Sequence, residues 1–363
     1  MPNTPTAFAC RYSAAIPKLL KELGCSLALS TYQAGKLILL NAIDEQRIAQ
    51  LARSFKKPMG IALQGNLMAV ATLNEVLVFA NVPSLCKNYP ASPGVYEALY
   101  LPRATYYAGA IDLHDLAWGA KGELFGINTR FSCLVQIDHT YSFRPIWQPP
   151  FISELLPEDR CHLNGLCLDP QIGLPAYATA LGQGDTREQW RTNKQTGGIL
   201  MDIPNNQIVL EHLPMPHSPR IYQGKLYLLL SATGQLICFD PATKQTEIVT
   251  NFGTLVRGMA IYKDYAFIGL SKIRKSSKGF ADLPIANQAN RAGIVAVHLP
   301  SRKIVGEIIY DSTVDEIYDV QVIEHATRVG ILNPYAPDAL HERALNSPNA
   351  NFWQKPPLEK GEK

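Results

Sequence analysis

The chain reads as an all-β protein, a six-bladed β-propeller whose N- and C-terminal segments close one blade between them. Three observations carry that reading. Short alternating runs (KLILLNA, NLMAVATL, EVLVFAN, CLVQID, KLYLLL, QLICFD, AFIGL, GIVAVHL) follow one another from about Gly24, each of strand length and bounded by Gly, Asn, Asp or Pro. Equivalent inner strands start near Pro58, His114, His162, His217, Arg257 and Glu316, with gaps of 56, 48, 55, 40 and 59 residues. Such spacing suits a four-stranded blade with its loops. Finally, SLALSTYQAGKLILLNAIDEQRIAQLA aligns with the second, third and fourth strands of another repeat and lacks a first. IYDVQVI, Ile317 to Ile323, supplies it from the far end of the chain, which leaves no inner sheet edge free.

In chain order, residues 1–24 form an N-terminal extension with a helix over Ala14 to Leu23. Residues 25–332 make a single propeller, and 333–363, rich in Pro, Asn and charge, an irregular C-terminal tail. Further helix is expected around Ile152 to Leu156 and weakly near the C-terminus. TRVGIL, Thr327 to Leu332, has no place in a four-strand pattern. A pair of β-sandwiches is the competing architecture, disfavoured because the repeat keeps its phase along the chain.

Composition narrows the function. With 34 basic and 31 acidic residues the net charge is only +3, so no general nucleic-acid surface is expected. No run of eighteen apolar residues suggests a membrane span, and the N-terminus lacks the pattern of a secretion signal. Seven scattered cysteines without a C-x-x-C pair fit reduced thiols and a cytoplasmic location.

Because strands within a blade alternate in direction, the start of each first strand and the turn joining second to third strand share one end. That places His114, His162, His217 and Arg257 near the axis on one face, beside the turns Thr31–Gly35, Asn128–Phe131 and Ser231–Gly234. The longest inserts, Leu181–Gly198 and Ser271–Gly293, and the connection from Trp147 to Cys161 emerge at the same end. One face thus carries the extra chain, as expected of a functional end.

Three histidines with an open position suit a divalent transition metal, Zn, Fe or Cu, provided their ring nitrogens come within roughly 3.5 Å of one another. In the plainer alternative each histidine caps a strand or bonds a neighbouring blade. His114 stands one position out of step with the other two, and Asp115 and Asn164 are placed to fix the tautomers. Arg220, Arg257 and Arg130 at the strand mouths, with Lys272 and Arg274 on the second insert, favour an anionic ligand, since guanidinium clamps carboxylate or phosphate. Arg187, Arg191, Lys275 and Lys278 lie on the inserts as well, and the lysines read as solvated. Among the carboxylates of this end, Glu316 and Asp115 are the candidate acid and base.

Phosphate-binding, zinc-protease, serine-hydrolase and dinucleotide signatures are absent, as are the repeat marks of WD40 and kelch propellers. The strings MPHSPRIYQGKLYLLLSATGQL, HLNGLCL, ATALGQGDTREQWR, GGILMDI, LVRGMAIYKDYAFIGLSKIR and EIYDVQVI resemble the motifs of a bacterial family of conserved hypothetical proteins, a propeller-like domain of unknown function. The resemblance runs from about residue 25 to 335 and implies no activity. Its motif positions, His162, Asn164, Gly165, His217, Ser218, Pro219, Arg220, Arg257, Gly258, Ser271, Lys272, Arg274, Glu316 and Asp319, fall on the same face; SAT at Ser231–Thr233 stands where similar proteins have SGT. The expectation is a metal-dependent lyase or hydrolase acting on an anionic small molecule or peptide-linked group. The alternative is a non-catalytic module binding a peptide, glycan or partner protein.

Overall fold

The structure is a computed structural model and describes residues 6–273, 280 and 282–355. Its alternating runs pair into six antiparallel sheets of four consecutive strands, interrupted once where the ring closes. Blade 1 combines Asp319–Glu324 with Cys25–Thr31, Lys36–Ala42 and Ile48–Ser54, so the inner strand comes from the C-terminal part, as the repeat predicts. Blades 2 to 6 open with Ile61–Gln64, Leu113–Trp118, Leu163–Leu168, Pro216–Tyr222 and Leu255–Tyr262. Each inner strand packs on the next, and Asp319–Glu324 touches those of blades 2 and 6, which closes the ring and excludes the paired sandwiches.

Two devices fasten neighbouring blades near the axis. A hydroxyl at the end of the second strand reaches a carbonyl in or just before the next inner strand: Ser30 to Met59, Thr129 to Leu163, Ser231 to Val256 and Ser271 to Ile317. One layer further in, polar inner-strand side chains of blades 1, 3 and 5 accept an amide from the following blade: Asp319 from Ile61, Asp115 from Leu166, Ser218 from Gly258. The intervening blades carry Gly60, Gly165 and Gly258. At Gly258 the need is plain, because φ is +74° and a Cβ would stand 2.7 Å from Cα of Asp319.

The chain ends reinforce two blades. Helix Ala15–Leu23 buries Ile16, Leu19, Leu20 and Leu23 against blades 1 and 6, and stops at Gly24 in the left-handed conformation. Cys10–Tyr12 adds a fifth strand to blade 6. Thr327–Leu332, which the four-strand pattern could not place, supplies a fifth strand to blade 2: Val329–Ile331 runs parallel to Ala98–Tyr107. Buried Asn41 holds it by bonding both the amide and the carbonyl of Val329 at 2.9 and 3.0 Å. Beyond it, a single helical turn, Leu340–Arg343, leads into a hairpin whose Trp353 donates to the carbonyl of Leu85. The helix expected at Ile152–Leu156 is replaced by bends and turns around Pro149, Pro150 and Pro157, which break helical hydrogen bonding. No helix among the described residues is long and apolar enough to cross a membrane.

Candidate functional site

At the end of the ring where the first strands begin lies a cavity of about 430 Å³. One side chain from the mouth of each inner strand lines it: Tyr318, Met59, His114, His162, His217 and Arg257, from blades 1 to 6 in turn. Described residues of the two long inserts cover it, among them Leu181, Trp190, Ile273 and Phe280. Leu181, Trp190, Leu283 and Ile285 share one apolar cluster, and Lys194 of the first insert meets Asp282 of the second at 2.9 Å.

The sequence phase that brings the histidines together also fixes their chemistry. Nδ1 of His114 lies 3.1 Å from the carbonyl of Asp112, and Nδ1 of His217 lies 3.1 Å from that of Met215. In both cases the residue two before the histidine has positive φ, 51° at Asp112 and 56° at Met215, which turns its carbonyl toward the ring. His162 differs: its own φ is +51°, and its Nδ1 meets the Asp159 carboxylate at 3.0 Å. So His114 and His217 are geometric equivalents, and the odd member is His162 rather than His114. The cause is local, since the left-handed residue falls on the histidine itself and moves the preceding carbonyl away.

A carbonyl or carboxylate only accepts, so all three Nδ1 atoms carry a proton, and in a neutral imidazole Nε2 then presents a lone pair. Asp115 and Asn164 do not set these tautomers. Side chains alternate along a strand, and Asp115 points inward to the amides of Leu116 and Leu166, while Asn164 accepts from Thr179. Ser231 Oγ stands 2.9 Å from Nδ1 of His217 and donates to Val256, so it accepts from the imidazole and is not a nucleophile activated by it. Burial, the Arg257 charge and neighbouring histidines hold His114 and His217 well below the usual imidazole range, hence neutral.

Cations line the cavity as well. Arg257 lies with Cζ 3.6 Å from the Tyr318 ring centroid, and no carboxylate among the described residues is within ion-pair distance of it. Every other lining cation has one: Arg130 meets Asp112 at 3.6 Å, Lys272 meets Asp315 at 3.1 Å, and Arg191 meets Glu188 at 2.9 Å. Glu316 also lines the cavity and accepts from the amide of Gln33.

Arg220 is not in this cavity. It lies further along the axis, bonded to the carbonyls of Met259, Leu166 and Pro219 and 3.4 Å from Asp115, so it is an internal cross-link between blades 4, 5 and 6. Arg274, with Lys275 and Lys278, lies outside the described residues. Among the described residues no group of three His, Cys, Asp or Glu side chains converges closely enough to hold a metal ion. His114 and His162 meet edge to face with centroids 4.9 Å apart.

Sequence reasoning missed Asp159, Trp190 and Tyr318. Trp190 donates to Asp159 at 3.1 Å and lies 4.3 Å from the His162 ring, completing a Trp–Asp–His chain. A carboxylate three residues before His162 and a lone tryptophan in the insert were the available signals. Tyr318 holds the inner-strand phase of the histidines in the closing blade, and its hydroxyl is buried without a partner among the described residues.

A family model described as a domain of unknown function (DUF4915) matches residues 14–332. Among solved structures, a chain of "Crystal structure of Nidogen/Laminin Complex" superposes with a TM-score of 0.51 at 12% identity, covering 83% of this chain and 99% of that one. A protein of unknown function from Bacteroides caccae gives 0.51 at 8% identity, covering 82% and 98%. At these identities the likeness concerns the fold. No curated protein matches.

Proposed function

We propose that this chain, which belongs to the DUF4915 family, is an enzyme that holds a small anionic molecule in the axial cavity and moves a proton on it, in a lyase or hydrolase reaction. The observation that carries this reading is the Asp159–His162 pair facing a cavity that also holds Arg257 without a carboxylate partner. Arg257 binds the anionic group, its plane stacked on Tyr318 so that its donors stay oriented. His162 Nε2 takes a proton from the bound molecule or from a water beside it. Asp159 holds Nδ1–H and stabilises the imidazolium that forms, and Trp190 keeps that carboxylate in place. Glu316, at the rim, is the candidate for the second proton position. The two roofing inserts screen the reacting atoms from bulk water.

A transition metal would have to bridge His114, His162 and His217. Their Nε2 lone pairs have the right chemistry, and the proton transfer above uses His162 alone.

The test is a thermal-shift screen of carboxylate and phosphate metabolites, followed by product analysis of each hit. Arg257→Gln is expected to abolish the shift. His162→Gln is expected to bind the hit and leave it unconverted. Wild-type protein that binds hits and returns every one unaltered would make this a binding module; hits that still bind Arg257→Gln would remove the anion clamp.

A further inference from the structure

The two arcs of the cavity ask for different groups on the same ligand. On the arc of blades 3 to 5, each imidazole has spent its one N–H on an acceptor inside the protein, namely the carbonyl of Asp112, the carboxylate of Asp159 and the carbonyl of Met215. What remains toward the cavity is three lone pairs with no partner among the described residues. A carboxylate or phosphate oxygen placed there would face lone pair against lone pair, whereas an O–H donor would complete an otherwise unmade hydrogen bond. On the neighbouring blade 6 Arg257 offers only donors. The anion and the hydroxyls are therefore asked for by different side chains of the lining, and a space of about 430 Å³ fits a molecule of monosaccharide size.

Resting on the anion-binding reading above, we infer that the ligand is a polyhydroxylated anion of monosaccharide size, with its carboxylate or phosphate on Arg257 and its hydroxyls donating to Nε2 of His114, His162 and His217. The histidines then contribute twice: His162 as the base, and all three as a filter for hydroxyl groups at fixed positions. Buried acceptors reject an analogue that lacks the donor more strongly than an apolar pocket rejects a missing methylene, because the lone pair stays unpaired when the analogue binds. His114 and His217 are in this sense specificity-determining positions. They stay neutral because burial and Arg257 disfavour the imidazolium, so the filter persists at neutral pH.

The experiment uses the full chain and four matched probes by titration calorimetry: gluconate, glucose 6-phosphate, hexanoate (anion without hydroxyls) and glucitol (hydroxyls without anion), with zinc chloride as a separate arm. The expected result is that gluconate or glucose 6-phosphate binds at least about tenfold more tightly than both hexanoate and glucitol, since each completed hydroxyl bond is worth up to about one decade. Which of the two wins distinguishes carboxylate from phosphate. In His114→Phe, checked for an unchanged melting temperature or replaced by His114→Gln if it fails to fold, the preferred probe should fall toward the level of hexanoate while hexanoate itself is unaffected. Equal affinity for hexanoate and gluconate, with both lost in Arg257→Gln, would overturn the hydroxyl filter and leave the anion pocket standing. Glucitol binding as tightly as gluconate would overturn both. No binding by any of the four at millimolar concentration, or stoichiometric zinc binding lost in His114→Gln, would also overturn the inference.

Discussion

The buried ionisable groups along the axis predict an unusual slope of stability against pH, one that single substitutions should change in opposite directions. His114 and His217 are neutral in the folded chain, while in the unfolded chain they titrate near 6.5. Below that pH the unfolded chain therefore binds two protons that the folded chain does not. Stability is lost as pH falls, by about 1.4 kcal/mol per pH unit for each histidine. Asp319 acts in the other sense. Burial, with Asp115 nearby, pushes its carboxyl up to about 7, so between the unfolded value of 3.8 and that point the folded chain holds the extra proton. Its contribution to stability is present at low pH and lost as pH rises through this window. Burial pushes Asp115 up as well, against Arg220, and with both carboxyls facing that one counter-ion the pair holds one extra proton in this window. Around pH 5 the three slopes sum to a net gain of about 1.4 kcal/mol per pH unit on going up. His217→Gln should flatten it to about zero, and Asp319→Asn should steepen it to about 2.7 kcal/mol per unit. Urea unfolding at about pH 5 and about pH 6 measures all three. The half-buried, ion-paired carboxylates Asp44, Asp138, Asp185 and Asp240 are held below the usual range and titrate under this window. A wild-type slope surviving in His217→Gln would refute the reasoning.

The remaining predictions concern fastening and packing. Ser231→Ala removes the hydroxyl that joins blade 5 to the carbonyl of Val256 and should lower stability by about 1–3 kcal/mol in denaturant titration, with far-UV circular dichroism unchanged. Tyr318→Phe removes a buried hydroxyl that bonds nothing among the described residues, so the melting temperature should hold or rise, by at most about 1 kcal/mol of added stability; a large loss would show that the hydroxyl has a partner in solution. Asn41→Leu unpairs both backbone groups of Val329 and should cost on the order of 2 kcal/mol. It should also expose residues 327–332 to limited proteolysis.

The fold was legible because blade repeats impose both a period and an alternation, and because the missing strand at one end matched the surplus strand at the other. The extra strands were not legible. Val329–Ile331 is too short to show a phase, and its place is dictated by Asn41, nearly three hundred residues away in sequence. Within the site, the histidines and Arg257 could be found because they stand at equivalent phases. What orients them could not be found, since it depends on backbone dihedrals at Asp112, Met215 and His162 that no residue type announces. The same limit explains Arg220: position relative to the strand start placed it at the mouth, but a bulge between His217 and Arg220 displaces the register and directs it down the axis to Asp115.

The hydroxyls that end the second strands connect fold and site. Ser30, Thr129, Ser231 and Ser271 are a repeat in their own right, each binding a carbonyl within a few residues of a cavity-lining side chain: Met59 itself, Leu163 after His162, Val256 before Arg257 and Ile317 before Tyr318. The bonds that fasten one blade to the next are therefore also the bonds that fix where the lining residues stand. Where such a bond is made, on blades 1, 2, 4 and 6, the backbone beside the lining residue is held independently of its side chain, which leaves that position free to carry Tyr318, Met59, His162 or Arg257. Ser231 makes the coupling most direct, since one oxygen both holds blade 6 and accepts Nδ1–H of His217. Its loss should consequently alter the cavity as well as the stability, and ligand affinity should fall further in Ser231→Ala than in Thr129→Ala, whose hydroxyl contacts no lining imidazole.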